Sequence, residues 1–176
     1  MERKLSKDSQ KGFTLIELIV VIFIVALTTS ASMVYYRSGD RGFSLIRSAY
    51  LVAQGLRSAQ ELAISAKEFG ESGVPSGYGV YFNIYSPSEY IIFADLDDSK
   101  QYNPGELLET VSLEKGVVVN GFNPVTNELN VVFNPPDPAV FFSPTDANLA
   151  SIRLSSKDSG KIIEVNKAGL INITNE

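Results

Sequence analysis

The stretch KGFTLIELIVVIFIVAL, Lys11 to Leu27, decides the fold of this chain. It reads like a membrane span, yet a carboxylate, Glu17, lies near its start. The uninterrupted apolar run is too short to cross a bilayer, which needs about 20 residues of helix, but small and apolar residues continue it to Tyr36. A helix over residues 13–36 is roughly 36 Å long at the helical rise of 1.5 Å per residue. The sequence therefore predicts a membrane-spanning helix over residues 13–36.

The leader that precedes this segment, residues 1–12, is polar and positively charged. It reads MERKLSKDSQKG, with four basic and two acidic residues, for a net charge of +2. Positive charge before an apolar run keeps that end of the chain in the cytoplasm. The segment beyond the span is therefore predicted to be extracytoplasmic.

Glu17 separates the interpretations of the apolar segment. A secretory signal cut near Ala31, a plain signal anchor and a buried core helix all compete for it. An ionised carboxylate in a bilayer costs about 2.5 to 3.5 kcal/mol, so such a group indicates a function and a partner. No Lys or Arg lies between Lys11 and Arg37. The positive partner of Glu17 must come from elsewhere.

The motif from Lys11 to Leu18, KGFTLIEL, resembles the class III signal of type IV pilins and type II secretion pseudopilins. The resemblance implies that a prepilin peptidase cleaves after Gly12 and methylates the new N-terminal residue, Phe13. It also implies that Glu17 recognises the N-terminal amine during filament assembly. The fold that it implies is α+β and pilin-like, with a long N-terminal transmembrane and amphipathic helix packed on a C-terminal antiparallel β domain.

Cleavage supplies the counter-charge that Glu17 lacks. The nitrogen of Phe13 is a neutral amide before cleavage and afterwards an amine with a reference pKa near 7.7 to 8.0, mostly cationic at neutral pH. Two pairings stay open. Phe13 and Glu17 are i and i+4 neighbours within one helix, and an incoming subunit could instead present its amine to the Glu17 of a subunit already in place. Either pairing selects register, because a half-satisfied buried charge costs about 3 to 5 kcal/mol.

Residues 37–69 are predicted to form the amphipathic second half of the helix. The stretch SGDRG, Ser38 to Gly42, holds two glycines and is expected to loosen or interrupt it. Beyond it, apolar residues recur at alternating spacings of four and three, which predicts one buried face: Leu45, Ala49, Val52, Leu56, Ala59, Ala63 and Ala66. The alanines and Gly55 favour close packing on a sheet over a coiled coil.

Residues 70–176 are predicted to form an antiparallel β domain, because short β-branched and aromatic runs alternate there with turn residues. The predicted strands are Tyr78–Tyr85, Tyr90–Ala94, Leu107–Leu113, Val117–Asn120, Leu129–Phe133, Ser151–Leu154, Lys161–Asn166 and Leu170–Ile173. The proline-rich segment Asn134 to Asp146 is predicted to be a surface connection or edge.

This second part of the chain is similar to the GspH/FimT type of minor pseudopilin. The similarity lies in LRSAQELAI at the helix end, FADLDDSKQYNPGELL in mid-chain and IIEVNKAGLINI near the end. The chain departs from DNA-uptake members of the family in having no basic residue after Lys167.

The loop DLDDSKQYNPGE, Asp95 to Glu106, has the spacing of oxygen ligands in a calcium loop. The candidate ligands are Asp95, Asp97, Ser99, Gln101 through its carbonyl, Asn103 and Glu106. Lys100 replaces the glycine of the sharp turn, and the flanking segments read as strands, so this is not an EF-hand. The alternative is a solvated turn made of Asp, Ser, Asn, Pro and Gly.

The amino-acid composition disfavours two classes of function. The chain of 176 residues contains neither histidine nor cysteine, which removes the commonest general base, the commonest metal ligand and the best nucleophile, so an enzyme is disfavoured. Its net charge of −5 disfavours nucleic acid as a partner. Removing the leader's net +2 leaves a mature chain of −7.

The sequence thus predicts a single-pass bacterial inner-membrane precursor that becomes a structural subunit of a type IV pilus-like or type II secretion filament. The expected partners are a prepilin peptidase, other pilins or pseudopilins, an inner-membrane assembly platform and, before assembly, membrane lipid. No cofactor is required, with calcium as the candidate exception. The alternative is an extracytoplasmic binding or enzymatic domain on an uncleaved anchor. The choice between a pilus, a secretion pseudopilus and a DNA-uptake fibre, and between a major and a minor subunit, stays open.

Overall fold

The computed structural model describes residues 12–136, 139–157 and 159–176, and within the helix it leaves the side chains of residues 33–41 undescribed. Apart from Gly12, the predicted leader lies outside the described residues. The chain divides into two compact units, the residues up to Gly39 and Asp40–Glu176. The helix and strands of the described residues are α1 (Leu15–Ile64), β1 (Gly77–Asn83), β2 (Glu89–Asp95), β3 (Leu107–Ser112), β4 (Val118–Asn123), β5 (Glu128–Phe133), β6 (Val140–Ser143), β7 (Leu149–Ser156), β8 (Ser159–Asn166) and β9 (Ile171–Asn175). A short 3₁₀ turn, Gly70–Ser72, follows the helix. The fold is the α+β arrangement that the sequence predicts.

The first unit contains the apolar part of α1. Within the described residues, Leu15–Ser32 is the helical stretch that is long and apolar enough to cross a membrane, and none of it is buried. A helix that is apolar on every side suits a surrounding of lipid or of other apolar helices. This stretch, Leu15–Ser32, lies within residues 13–36, for which the sequence predicts a membrane span.

The predicted interruption at SGDRG is absent from the backbone. Residues 38–42 are helical, and α1 passes through them without a break. Two glycines cost about 1 kcal/mol each in a helix, whereas an interruption would leave up to four C=O groups unpaired before it and up to four N–H groups unpaired after it. The continuous hydrogen-bond ladder outweighs the glycine cost.

The second unit buries one face of α1. Six of the seven predicted positions are at most 3% exposed, namely Leu45, Ala49, Val52, Leu56, Ala59 and Ala63. The seventh, Ala66, is half-buried and follows the end of the helix. Gly55 lies so close to the sheet that a Cβ there would be 2.6 Å from Cε2 of Tyr90. The small residues predicted to allow close packing do so at this point.

The helix ends in a pair of hydrogen bonds that caps its last carbonyls. Lys67 N donates to the carbonyl of Leu62 at 3.2 Å, and Ala66 N donates to that of Ala63 at 3.0 Å. This is the Schellman arrangement, in which the residue at the position of Ala66 adopts the left-handed conformation that glycine favours. Ala66 adopts it with φ of 45°.

The strands form two antiparallel sheets. One has the order β3-β2-β1-β5-β6 and the other β4-β7-β8-β9. Side chains from both sheets and from the buried helix face join in one hydrophobic core. All eight predicted strands are present, with small differences at their ends.

A ninth strand, β6, lies in the proline-rich segment for which the sequence predicts a surface connection or edge. It pairs with β5 at the edge of the larger sheet. Phe142 is 3% exposed in the core, whereas the ring of Phe141 faces the ammonium groups of Lys100 and Lys167 at 5.4 and 5.9 Å. The segment is therefore an edge, with one phenylalanine in the core and one beneath two cations.

The face of the larger sheet that does not join this core is covered by the loop between β2 and β3. The ring of Tyr102 in this loop contacts those of Tyr81 and Phe93 at centroid distances of 5.3 and 5.7 Å. The N–H of Tyr102 donates to Oδ1 of Asn130 at 2.9 Å, and both Phe93 and Asn130 are buried. The candidate calcium loop is thus fastened to the sheet through Tyr102.

Candidate functional site

The start of α1 is set by Thr14. The Glu17 N–H donates to Oγ1 of Thr14 at 3.3 Å, and the Leu18 N–H donates to the Thr14 carbonyl at 3.2 Å. A Thr hydroxyl that accepts an N–H three residues further on satisfies one of the donors that a helix start leaves unpaired. Thr14 is thus the N-cap, and Leu15 is the first helical residue.

Gly12 and Phe13 precede the helix and are exposed. Neither residue is helical, and Phe13 is 86% exposed. Among the described residues other than its chain neighbours, no heavy atom lies within 4 Å of the position that a Cβ on Gly12 would take. The peptide bond between these two residues is therefore accessible from solvent.

Glu17 lies in the first turn of α1 and is surrounded along the chain by exposed apolar residues. A carboxylate in the first turn is favoured by the positive end of the helix dipole. Its neighbours Ile16 and Leu18 are 66% and 58% exposed. In this unit the carboxylate is accessible to a group from another molecule.

The structure changes the geometry expected for pairing within one helix. Phe13 lies just before the helix, which begins at Leu15, so Phe13 and Glu17 are not i, i+4 neighbours within a regular helix. The hydroxyl of Thr14 takes the Glu17 N–H that would otherwise extend the helix backward. The pairing within one subunit and the pairing between subunits therefore both stay predictions.

Thr14 is the residue at this site that the sequence analysis missed. The spacing Thr14-Leu15-Ile16-Glu17 is that of a capping box, in which a Thr precedes a Glu by three residues. This pattern before an apolar run is sufficient to predict the helix start.

The loop between β2 and β3 brings three of the predicted calcium ligands together. Asp95, Asp97 and Glu106 each offer a carboxylate oxygen, and these oxygens lie within 4.8 Å of one another. Asp95 and Glu106 are 0% and 4% exposed, whereas Asp97 is exposed. An all-oxygen set of this kind suits a hard cation such as Ca²⁺.

The other predicted ligands hydrogen-bond around this cluster. Asn103 Nδ2 donates to Asp97 Oδ2 at 2.9 Å and to Ser99 Oγ at 3.1 Å. The Ser99 hydroxyl donates to the Gln101 carbonyl at 3.0 Å. Asn103 thus presents its amide nitrogen to the cluster, and the Gln101 carbonyl is engaged by Ser99.

Backbone N–H groups and one ammonium also satisfy the buried carboxylates. The N–H groups of Ser99 and Lys100 donate to Asp95 at 3.0 and 3.2 Å, and those of Leu96 and Asn103 donate to Glu106 at 2.9 and 2.8 Å. The Lys100 ammonium lies 3.5 Å from Asp95 Oδ2 and also pairs with Asp98. A cation bound to the three carboxylates would share Asp95 with this ammonium.

The electrostatics of the loop differ between its buried and exposed acids. Burial raises the pKa of Asp95, although the backbone N–H and the ammonium of Lys100 oppose that change. Hydrogen bonding to Ser99 lowers the pKa of the exposed Asp97.

Lys100 has φ of 60°, so it holds the left-handed conformation that the replaced glycine would supply.

The comparisons with known proteins concern the N-terminal segment. Residues 7–33 match the family described as the prokaryotic N-terminal methylation motif. No curated protein and no solved structure matches the chain. The chain therefore carries a prepilin-type methylation signal joined to an apolar helix, which supports a type IV pilin-like protein that is anchored in a membrane and assembles with other pilins.

Proposed function

We propose that the protein is a structural subunit, a minor pilin or pseudopilin, of a type IV pilus-like or type II secretion filament. The observation that carries this proposal is the match of residues 7–33 to the methylation motif, with an exposed Gly12–Phe13 bond directly before an apolar helix. The precursor is held in the bacterial inner membrane with its basic leader in the cytoplasm. The β domain lies on the extracytoplasmic side, and no catalytic role is assigned to it.

Processing changes the electrostatics of the helix start. Prepilin peptidase cuts after Gly12, so the nitrogen of Phe13 becomes an amine, which the enzyme then methylates. The new positive charge gives Glu17 the partner that the apolar segment itself lacks. The amine of an incoming subunit then pairs with Glu17 of a subunit already in the filament, a proposal supported by the exposure of Glu17 to groups from other molecules.

Assembly then buries the apolar surface of the first unit. Large apolar side chains are exposed along Leu15–Leu27, and an assembly platform in the inner membrane transfers them from lipid to a bundle of other subunits' helices. Apolar packing holds the bundle together, whereas the pair formed by Glu17 and the amine sets the register between neighbours.

The finer assignment to the GspH/FimT type of minor pseudopilin is supported by sequence similarity in the second unit. The three stretches that carry it fall on the end of α1, on the loop between β2 and β3 (the acidic loop) with the start of β3, and on β8 with the following turn and the start of β9. We include this assignment in the proposal because these stretches lie in different parts of the β domain and of the helix that packs on it.

Mass spectrometry of the membrane-extracted native protein tests the proposal. The expected N-terminus is methylated Phe13. A chain that still carries its leader would contradict the proposal and support an extracytoplasmic binding or enzymatic domain on an uncleaved anchor. A chain that begins beyond Ala31 would instead identify a secretory signal.

A Glu17→Ala variant tests the role of the carboxylate in assembly. We expect insertion and cleavage to continue, while incorporation into filaments falls at least tenfold, because an unpaired amine in the bundle costs about 3 kcal/mol or more. Glu61→Ala, at an exposed position of the same helix, is the matched control. Equal incorporation of Glu17→Ala and the control would remove Glu17 from the mechanism.

We further propose that the loop of residues 95–106 binds calcium. The favouring observations are the three carboxylates within 4.8 Å and the left-handed backbone at Lys100. Asp95, Asp97 and Glu106 would hold the ion, which would link the loop to β2 and β3 and so fasten it more firmly over the sheet.

Thermal unfolding with excess calcium and with chelator tests this site. We expect calcium to raise the midpoint of the wild-type protein, and to raise it further in Lys100→Gly, which removes the competing ammonium and suits φ of 60°. Asp97→Asn should lose the response, whereas Glu109→Gln on β3 should keep it. If neither the wild-type protein nor Lys100→Gly responds, the loop is a solvated turn.

A further inference from the structure

The N-cap at Thr14 separates an extended segment from a helix at the point where processing takes place. Gly12 and Phe13 are exposed and non-helical, and the helix begins two residues after the Gly12–Phe13 bond. The hydrogen bond from the Glu17 N–H to Thr14 Oγ1 is the contact that fixes this boundary. The boundary is therefore built by one side chain.

Without that side chain the helix has a simple way to satisfy the Glu17 N–H. The next acceptor along the chain is the carbonyl of Phe13, which is the i−4 partner of an α-helix. Taking it makes Phe13 the N-cap, and a second bond from the Ile16 N–H to the Gly12 carbonyl then draws Phe13 into the first turn and engages the carbonyl that is to be cut. Near a membrane this extension is favoured, because an N–H without a partner costs more where water is scarce. Gly12, a poor helix former, would stop the extension there.

An extension of this kind would hinder hydrolysis. The cleavage adds the hydroxyl of a water molecule to the carbonyl carbon of Gly12 and transfers a proton to the nitrogen of Phe13 as the bond between them breaks. Both atoms must be reachable by the peptidase. When opening is fast, the rate of such a cleavage follows the population of the open form of the substrate.

We propose that Thr14 is a positioning residue for processing: its hydroxyl stops the helix at Leu15 and keeps the Gly12–Phe13 bond extended for the peptidase. This inference rests on the proposed function, since it concerns the same cleavage. It assigns to Thr14 a task that is separate from the pairing of Glu17 with an amine. Thr14 acts on the precursor, whereas the amine exists only after cleavage.

The test measures the cleavage rate of full-length precursors in membrane vesicles that contain prepilin peptidase, by mass spectrometry of the loss of residues 1–12. Thr14→Val keeps the shape of the side chain but removes the acceptor, and we expect it to be cut about two- to thirtyfold more slowly, the range that loss of an N-cap implies. Thr14→Ser and Thr14→Asn both keep an N-cap and should be cut at rates close to that of the wild type.

Thr28→Val is the matched control. It makes the same chemical change within the same helix, where the Thr28 hydroxyl donates to the carbonyl of Ile24 and caps no helix start. Its cleavage rate should equal that of the wild type. Rates are normalised to inserted precursor, so an effect on insertion does not enter the comparison.

A structural readout accompanies the rates. In detergent micelles, the Cα chemical shift of Phe13 should move toward the helical value in Thr14→Val and stay extended in Thr14→Ser and Thr14→Asn.

The outcomes separate the inference from the proposed function. Wild-type cleavage between Gly12 and Phe13 with an equal rate for Thr14→Val would overturn the role of the cap and leave the filament assignment intact. Rescue by Thr14→Ser but not by Thr14→Asn would overturn it in favour of direct recognition of the hydroxyl. If the wild-type precursor were not cut at this bond at all, the proposed function itself would fail.

Discussion

The two halves of α1 differ in what surrounds them. From Leu15 to Leu27 large apolar side chains cover every side of the helix, and each is at least 48% exposed. From Leu45 to Ala63 one stripe of small and medium side chains is at most 3% exposed and packs in the core. The first half is suited to a surrounding that other molecules provide, whereas the second half finds its surrounding within the chain. The stability of the β domain should therefore depend on the second half alone.

The largest difference in the free energy of unfolding should come from truncating one leucine in each half of the helix. Leu56→Ala removes a fully buried side chain and should lower the free energy of unfolding of the β domain by about 2–5 kcal/mol. Leu27→Ala, at a position 55% exposed, should leave it unchanged. Urea unfolding in detergent, followed by tyrosine fluorescence because the chain lacks tryptophan, measures both variants. Equal losses would show that the halves are not independent.

Alanine replacement of two glycines in the second unit should give effects of opposite sign. At Gly55 a Cβ would lie 2.6 Å from a ring whose hydroxyl is bonded to the Leu51 carbonyl at 2.8 Å, so Tyr90 cannot move without losing that bond. We expect Gly55→Ala to cost about 1–2 kcal/mol, an overpacking penalty partly offset by helix propensity.

Gly42 is the matched position, because among the described side chains, its chain neighbours aside, none lies within 4 Å of the site of its Cβ. Gly42→Ala should stabilise the helix by about 0.5–1 kcal/mol. The same urea titration measures both variants, and a stabilising Gly55→Ala would show that the helix is not tightly packed on Tyr90.

The packing of the second half should also make stability depend on alkaline pH. Burial, and to a lesser extent Glu109, raises the pKa of Tyr90 above its ordinary value of 10.0. The folded state therefore keeps a proton that the unfolded state releases, so this contribution is intact below pH 10.0 and is lost as the pH rises above it. The loss approaches about 1.4 kcal/mol per pH unit.

The free energy of unfolding, measured at about pH 9 and about pH 11, gives the change in stability with pH. Tyr90→Phe should reduce the pH dependence, whereas Tyr85→Phe, at a position 76% exposed, should leave it as in the wild type. An unchanged slope in Tyr90→Phe would place the alkaline sensitivity elsewhere.

A similarly small effect on stability should come from the residue that terminates the buried half. Ala66 holds the left-handed conformation that an L-residue adopts at a cost, so Ala66→Gly should stabilise the domain by about 1 kcal/mol. Ser65→Gly, one residue earlier and without a positive φ, should be neutral or destabilising. Thermal unfolding of the pair distinguishes relief of backbone strain from a general effect of glycine.

The sequence predicted those parts of the fold in which neighbouring residues carry the information. The spacing of Leu45, Val52 and Leu56 marks a helix face, and β-branched runs mark the strands, because each pattern repeats with the period of its element. The sequence did not predict β6 as a strand, because prolines surround it. A strand at the edge of a sheet tolerates prolines, but the pairing with β5 that makes β6 an edge strand is not visible in the local sequence.

The acidic loop shows the same division between local and distant information. Ligand spacing predicted the approach of Asp95, Asp97 and Glu106, which are close in the sequence. It could not predict the bond from Tyr102 to Asn130, because these residues are 28 positions apart and meet only when the loop folds over the sheet. At the helix start, by contrast, the Thr14 cap was within reach of the sequence through its spacing to Glu17.

The small polar residues near the end of the apolar helix bear on its transfer from lipid to a bundle of helices. The hydroxyls of Thr28, Thr29, Ser30 and Ser32 donate to carbonyls of their own preceding turn. None of these donors has to find a new partner when the helix leaves lipid and enters a bundle. In the proposed assembly, the segment would therefore exchange one apolar medium for another with the hydrogen bonds of these four hydroxyls unchanged.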